Sequence, residues 1–289
     1  QEHPVSRGQQ ALWFLHQSAP DSAAYTVVFA MRILSDLDKD ALKAALQSIV
    51  LRHPQLRATF HMQGGVLVQR IVGHLDLDLP EFDLSGHNEV EVERALADAA
   101  ATPFDLEHGP LFRPQLFRIN DREHALVLAV HHIVYDGWSL WLTLDELRAA
   151  YEAETAGTLL KLPAPGATYV DHIAAQEALI SGPRGQELEA YWRARLKEMS
   201  GTLDLPMDMP RPPVRKLNGG AHGFSLGTVL SEALRKCSRD LGVTPFSALI
   251  GAYQILLHRY TGQENIPVGT RSAGRNDTAM ADVIGYFVN

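Results

Sequence analysis

Ala125-Leu126-Val127-Leu128-Ala129-Val130-His131-His132-Ile133-Val134-Tyr135-Asp136-Gly137-Trp138 is the stretch that decides how this 289-residue chain is built. Six uninterrupted apolar residues, short and valine-containing, read as a strand buried on both faces. An Asp-Gly turn follows, and the apolar period then changes from 2 to 3.6: Leu140, Trp141, Leu144, Leu147, Arg148 and Tyr151 fall on one helix face. Two histidines sit between strand and turn. Consecutive strand residues point to opposite faces, so His131 and His132 cannot both enter one cavity or chelate one metal. One projects into a cleft and the other packs inward. Residue types alone leave two readings open: a pair of satisfied histidines at a strand end, or one imidazole placed for proton transfer. The helix N-terminus at Gly137 adds backbone N–H groups able to meet a developing negative charge.

Working outward, Leu111–Ile119 and His124–Ile133 are strands joined by the polar turn Asn120 to Glu123, and Tyr25–Leu34 is another strand. Ala58–Met62 and Val66–Val72 flank Gly64-Gly65 as a hairpin. Asp38–Arg52, with Leu42, Ala45, Leu46, Ile49 and Val50 at helical spacing, and Glu89–Ala101 read as helices. So do Gln186–Met199, Val229–Leu241 closed by Gly242, and a segment from the Thr244 cap and Pro245 to Tyr260, with Gly262 beyond. Ile266–Thr270 and Ile284–Val288 read as short strands. Gly157, Pro163, Pro165 and Gly166 mark a linker between Ala156 and Tyr169, and the prolines of Pro206–Pro213 exclude regular helix or central strand there. The division is placed near residue 160, giving residues 1–160 and 161–289. The abrupt stop after Ile284–Val288 reads as a truncated second half.

Composition narrows the function classes. With 46% hydrophobic and 21% charged residues, the chain is an ordinary globular protein. A net charge of −8 argues against nucleic acid, whose phosphates require clustered Lys and Arg. The longest apolar stretches, Ala125–Val130 and Pro245–Leu257, fall short of the roughly 20 residues that span a bilayer. Without a leader pattern, the expectation is a cytoplasmic protein with no membrane partner. The single cysteine, Cys237, excludes an internal disulfide and a Cys-based zinc site.

His131-His132-Ile133-Val134-Tyr135-Asp136-Gly137 fits the HHxxxDG signature, and three further segments match one family in order. Ser6-Arg7-Gly8-Gln9-Gln10-Ala11-Leu12-Trp13-Phe14-Leu15 is similar to its N-terminal motif, with Gly8 where Ala is commoner. Arg52-His53-Pro54-Gln55-Leu56-Arg57-Ala58-Thr59-Phe60 resembles RHExLRTxF, with Pro54 in place of Glu. Ile284-Gly285-Tyr286-Phe287-Val288-Asn289 resembles the opening of GxFVN, and Tyr169-Val170-Asp171 is a weaker match to a YxDF-type motif. On these motifs the chain resembles the condensation domains of nonribosomal peptide synthetases. Heterocyclisation relatives carry aspartates where His131 and His132 stand, which disfavours cyclisation.

The resemblance implies an α/β fold of the chloramphenicol-acetyltransferase type. It has two lobes in a V, an active-site channel between them, and here an incomplete second lobe. It implies amide formation between a donor acyl or peptidyl thioester and an acceptor aminoacyl thioester, in nonribosomal peptide or hybrid polyketide-peptide biosynthesis. Both substrates arrive on phosphopantetheine arms of upstream and downstream carrier domains, beside an adenylation domain, with no cofactor or metal bound directly. His132 is the candidate catalytic residue, with His131, Asp136 and Gly137 completing the motif. Asp136 reads either as a second catalytic carboxylate or as a buried anchor, and the cost of an unpaired buried carboxylate favours the anchor. The family's arginine from the other lobe then corresponds best to Arg275 of Gly274-Arg275, with Arg271 second. Gly137 is assigned to a tight turn and close backbone approach, Trp138 and Trp141 to the core, and Arg52 and Arg57 to bracing. Two alternatives differ in class: a stand-alone acyltransferase using a soluble thioester such as coenzyme A, for which no basic groove is evident, and a non-catalytic domain that recruits another protein.

Overall fold

In the computed structural model, which describes residues 1–197, 199, 202–210, 220 and 222–289, the elements follow in the order β1 (Glu2–His3), α1 (Arg7–Ser18), β2 (Thr26–Ile33), α2 (Lys39–Arg52), β3 (Ala58–Gln63), β4 (Val66–Ile71), β5 (Glu81–Asp83), α3 (Glu89–Ala101), β6 (Phe112–Asn120), β7 (Glu123–His131), α4 (Gly137–Thr155), α5 (Tyr169–Ser181), α6 (Pro183–Leu196), α7 (Gly227–Asp240) and α8 (Pro245–Thr261). The strands make two sheets, β1-β4-β3 and β2-β7-β6-β5, antiparallel except for the parallel pair β5–β6.

The apolar run that opened the analysis is β7, the inner strand between β2 and β6. Its register runs from Thr26↔His131 to Ile33↔His124 on one side and from Phe112↔Val130 to Asn120↔Glu123 on the other. One face of this sheet buries Leu126 and Leu128 in a cluster with Leu42, Leu46 and Ile49 of α2 and Leu147 and Ala150 of α4. The other face buries Phe117, Ala125 and Val127 against Ala95, Leu96 and Ala99 of α3. Both faces are dry, which is why the strand shows no polar alternation. Each fully buried Leu or Ile contributes about 1.5–3 kcal/mol.

The chain divides into two compact units, Gln1–Ser181 with Ser272–Asn289, and Gly182–Arg271. The boundary therefore lies at Ser181/Gly182 rather than near residue 160. The Gly/Pro-rich stretch before Tyr169 is a connection inside the first unit, where Arg52 donates to the Pro163 carbonyl at 2.5 Å. The reason is α5, a helix absent from the sequence-based reading. Its Tyr169 hydroxyl lies 3.0 Å from Ser6 Oγ and donates to the Tyr286 carbonyl at 2.6 Å, so α5 is held to both ends of the first unit.

Other expectations change as well. Ile266–Thr270 and Ile284–Val288 are irregular, not strands. The backbone of the latter is satisfied by side chains instead of a ladder: the Gly285 N–H donates to Ser139 Oγ at 3.1 Å and the Phe287 N–H to Asp136 Oδ2 at 3.2 Å. Trp138 and Trp141 are 49% and 67% exposed. The buried face of α4 is Ser139, Thr143, Glu146, Leu147 and Ala150, so the two tryptophans fall on its outer side. The proline-rich stretch Pro206–Pro213 is irregular as far as residue 210, and residues 211–219 lie outside the described residues. No single helix among the described residues is long and apolar enough to cross a membrane.

Candidate active site

His131 and His132 part company where β7 ends. His131 is its last residue, whereas His132 begins a short 3-10 turn, His132–Val134. His131 is buried, and its Nδ1 accepts the Ile133 N–H at 3.1 Å. That bond places the proton of the neutral ring on Nε2. Burial, with a smaller contribution from the neighbouring His16 and His132, holds the imidazole at about 3, so it stays neutral. His132 has the opposite tautomer. Its Nδ1 lies 2.6 Å from the Tyr135 carbonyl oxygen, which can only accept, so Nδ1 carries a proton and, in the neutral ring, the lone pair falls on Nε2. The ring is half-buried, its backbone N–H donates to the Tyr25 carbonyl at 2.8 Å, and it stands nearly perpendicular to the Tyr286 ring with centroids 5.1 Å apart.

Asp136 is 1% exposed and caps α4, accepting from the Ser139 N–H at 2.8 Å and Ser139 Oγ at 2.7 Å through Oδ1. The anion at this helix N-terminus is thus the protein's own carboxylate, which takes up the Ser139 N–H. Arg275 Nη2 donates to Asp136 Oδ1 at 3.1 Å and to Oδ2 at 3.3 Å. Its Nη1 donates to the Met280 and Val283 carbonyls, each at 2.6 Å, and the guanidinium carbon lies 3.8 Å above the Phe287 ring. The structure therefore brings Asp136 and Arg275 together. The arginine comes from the second half of the sequence but from the same compact unit as Asp136. Arg271 makes no ion pair among the described residues. Gly274, with φ of +67°, allows the approach: a Cβ there would lie 1.9 Å from the Phe287 carbonyl oxygen. Gly137 differs from its expectation. It opens α4 with φ outside the left-handed region, and a Cβ would meet nothing within 4 Å, so close backbone approach does not account for it.

Three groups have roles that the sequence reading did not assign. Ser139 ties Asp136, Arg275 and Gly285 to one hydroxyl, with Arg275 Nη2 at 3.1 Å. Buried Gln9 donates to the Ile133 carbonyl at 3.1 Å, gripping the turn after His132, and is itself 3.4 Å from Gln55. The signal for Gln9 was present as Ser6-x-x-Gln9, a capping box in which both reciprocal bonds form. Tyr169 packs against Gly285, where a Cβ would come within 2.2 Å of its ring. Arg52 and Arg57 both brace: Arg52 Nε pairs with Glu146 at 3.0 Å, and Arg57 donates to the carbonyls of Val50, Leu51, Val72 and Gly73.

Fold and site together define an α/β protein that presents one histidine beside a buried, arginine-locked aspartate at a helix start. The chain belongs to the condensation domain family, whose profile matches residues 1–289. It is 40% identical to a component of the linear gramicidin synthase of Brevibacillus parabrevis, over 99% of this chain and 6% of that protein. To phosphinothricin tripeptide synthetase PhsC of Streptomyces viridochromogenes it is 36% identical, over 99% of this chain and 27% of the relative. The chain thus spans a small part of the length of either synthetase. Among solved structures, the first condensation domain of the calcium-dependent antibiotic synthetase with a substrate analogue superposes with a TM-score of 0.85 at 26% identity, covering 100% of this chain and 68% of that one. The X-domain from teicoplanin biosynthesis gives 0.89 at 25% identity, over 99% and 63%.

Proposed function

We propose that this chain forms an amide bond between a donor acyl or peptidyl thioester and an acceptor aminoacyl thioester during nonribosomal peptide biosynthesis in the cytoplasm. Upstream and downstream carrier domains deliver both substrates on phosphopantetheine arms, beside an adenylation domain. In the reaction the acceptor α-amine attacks the donor carbonyl carbon, a C–N bond forms, the C–S bond breaks, and the donor arm leaves as a thiol. One proton passes from the attacking nitrogen to the leaving sulfur. The observation that supports this reading is the hydrogen bond of His132 Nδ1 to the Tyr135 carbonyl, which holds the ring and, in its neutral form, leaves the lone pair on Nε2. An α-amine titrates near 7.7–8.0, so a useful fraction is already neutral at pH 7 and the imidazole acts chiefly on the more acidic adduct formed by attack. His131, with Nδ1 occupied and its ring buried, supports the turn instead.

The test is amide formation on loaded carriers. His132→Ala should lower the rate by about 10²–10⁴, and wild-type turnover in that variant overturns the reading. A second reading, a non-catalytic domain that recruits another protein, is supported by the solved complex of an X-domain with OxyB from teicoplanin biosynthesis, whose fold this chain shares. Absence of amide formation by the unsubstituted chain on loaded carriers, alongside binding of a partner protein, would select it.

A further inference from the structure

We propose that Tyr286 is a positioning residue that fixes the imidazole of His132, and that Gly8 is the residue that admits it. The inference rests on the assignment of His132 as the catalytic base. A single hydrogen bond from Nδ1 to the Tyr135 carbonyl pins one atom of the imidazole and leaves the ring free to swing about that bond. The Tyr286 ring supplies the second restraint, at 5.1 Å between centroids and 85° between planes. Such an edge-to-face pair is favourable and directional.

Tyr286 is itself held from two sides. Its carbonyl accepts from the Tyr169 hydroxyl at 2.6 Å, which fixes the backbone. Its ring lies against the start of α1, where a Cβ on Gly8 would sit 2.5 Å from Cε1 and 2.9 Å from Cδ1. Real Cβ atoms do not approach that closely, so the ring occupies space that exists because residue 8 has no side chain. Burial pushes the Tyr286 phenol up, with Tyr25 and Asp136 adding to the effect, so the ring is neutral across the working pH range. A chain of contacts thus runs from Gly8 through Tyr286 to His132, and neither Gly8 nor Tyr286 bonds to the reacting nitrogen.

The experiment uses the full-length protein with loaded carriers and four variants: Gly8→Ala, Tyr286→Ala, Tyr286→Phe, and Gly8→Ala combined with Tyr286→Ala. A displacement of about 1 Å at a catalytic group costs up to about 100-fold, so Gly8→Ala and Tyr286→Ala should each lower kcat by about 10- to 100-fold with KM little changed. Tyr286→Phe keeps the ring and should retain wild-type kcat. The double variant should be no slower than Tyr286→Ala alone, because without the ring the methyl group has nothing to displace. The second readout is the low-field NMR signal of the His132 Nδ1 proton, which should persist in Tyr286→Phe and broaden or vanish in Gly8→Ala and Tyr286→Ala. Tyr286→Leu replaces Tyr286→Ala if the latter does not fold. Wild-type kcat in Gly8→Ala or Tyr286→Ala, with His132→Ala inactive, overturns the positioning role and leaves the His132 assignment standing. So do losses of kcat that track melting temperature while the Nδ1 signal stays put. Wild-type turnover in His132→Ala instead removes the underlying assignment, and the Nδ1 signal alone then decides whether Tyr286 orders the ring.

Discussion

The two compact units carry the same local signals and treat them differently. In Gln1–Ser181 with Ser272–Asn289, α1, α2 and α4 are capped by Ser6, Asp38 and Asp136, and their apolar stripes end in buried clusters. In Gly182–Arg271, α8 is capped as well: Thr244 Oγ1 accepts from the Ser247 N–H at 3.1 Å, and Gly262 takes the left-handed conformation at its far end. Yet the buried residues described in this second unit are Ser238 and Leu257, while Trp192, Phe246, Tyr253 and Ile255 stay exposed. Caps and periodicity establish that a helix forms. They say nothing about what its apolar face meets.

The largest effect that would sharpen this contrast comes from the lock of the first unit. Asp136→Ala removes five hydrogen-bond acceptor contacts, counting those to the Ser139 N–H and Oγ, to Arg275 Nη2 on both oxygens, and to the Phe287 N–H. It also leaves Arg275 buried without its partner. The expected loss is about 3–5 kcal/mol, read by thermal and denaturant melts, with activity falling in step. Asp136→Asn keeps the shape and should cost less. A melt unchanged by Asp136→Ala would show that Asp136 does not lock the segment carrying Arg275 to the rest of the first unit.

A smaller effect is expected with pH. The folded state keeps His131 neutral down to about 3, whereas in the unfolded chain it protonates near 6.5. The unfolded state therefore binds the extra proton between those values, and stability is lost as pH falls through them. Below pH 6.5 the slope from this group should approach about 1.4 kcal/mol per pH unit. Urea midpoints from pH 7 to 5, compared with His131→Asn, test it. If the variant shows the same slope, His131 is not the group responsible.

The smallest effect belongs to the second unit. Phe246 is 60% exposed, so Phe246→Ser in this chain should change stability by no more than about 0.5 kcal/mol. A loss several times larger would mean that this face is covered, and the contrast between the units would disappear.

Much of the fold was legible residue by residue. The uninterrupted run Ala125–Val130 marked an inner strand because only a strand dry on both faces lacks polar alternation. The change of period after Asp136 marked α4. Strand alternation anticipated that His131 and His132 separate, but they do so because the strand ends at His131 and His132 opens a 3-10 turn. Charge bookkeeping at Asp136 favoured a cationic partner over a free catalytic carboxylate, because a lone buried carboxylate is costly wherever it lies in the chain. Other features depended on distances across more than a hundred residues, which local pattern does not encode. Trp141 is apolar and at helical spacing, yet α4 turns it outward, because Thr143, Glu146 and Leu147 take the inner face. Ile284–Val288 has strand-like residues but finds Ser139 and Asp136 instead of a neighbouring strand. Composition and spacing determined that a helix follows the histidines, and burial arguments favoured a cation beside Asp136. Tertiary packing alone decided that Arg275 supplies it and that Tyr286 meets His132 beside the missing side chain at Gly8, because those outcomes rest on where residues more than a hundred positions apart come to lie.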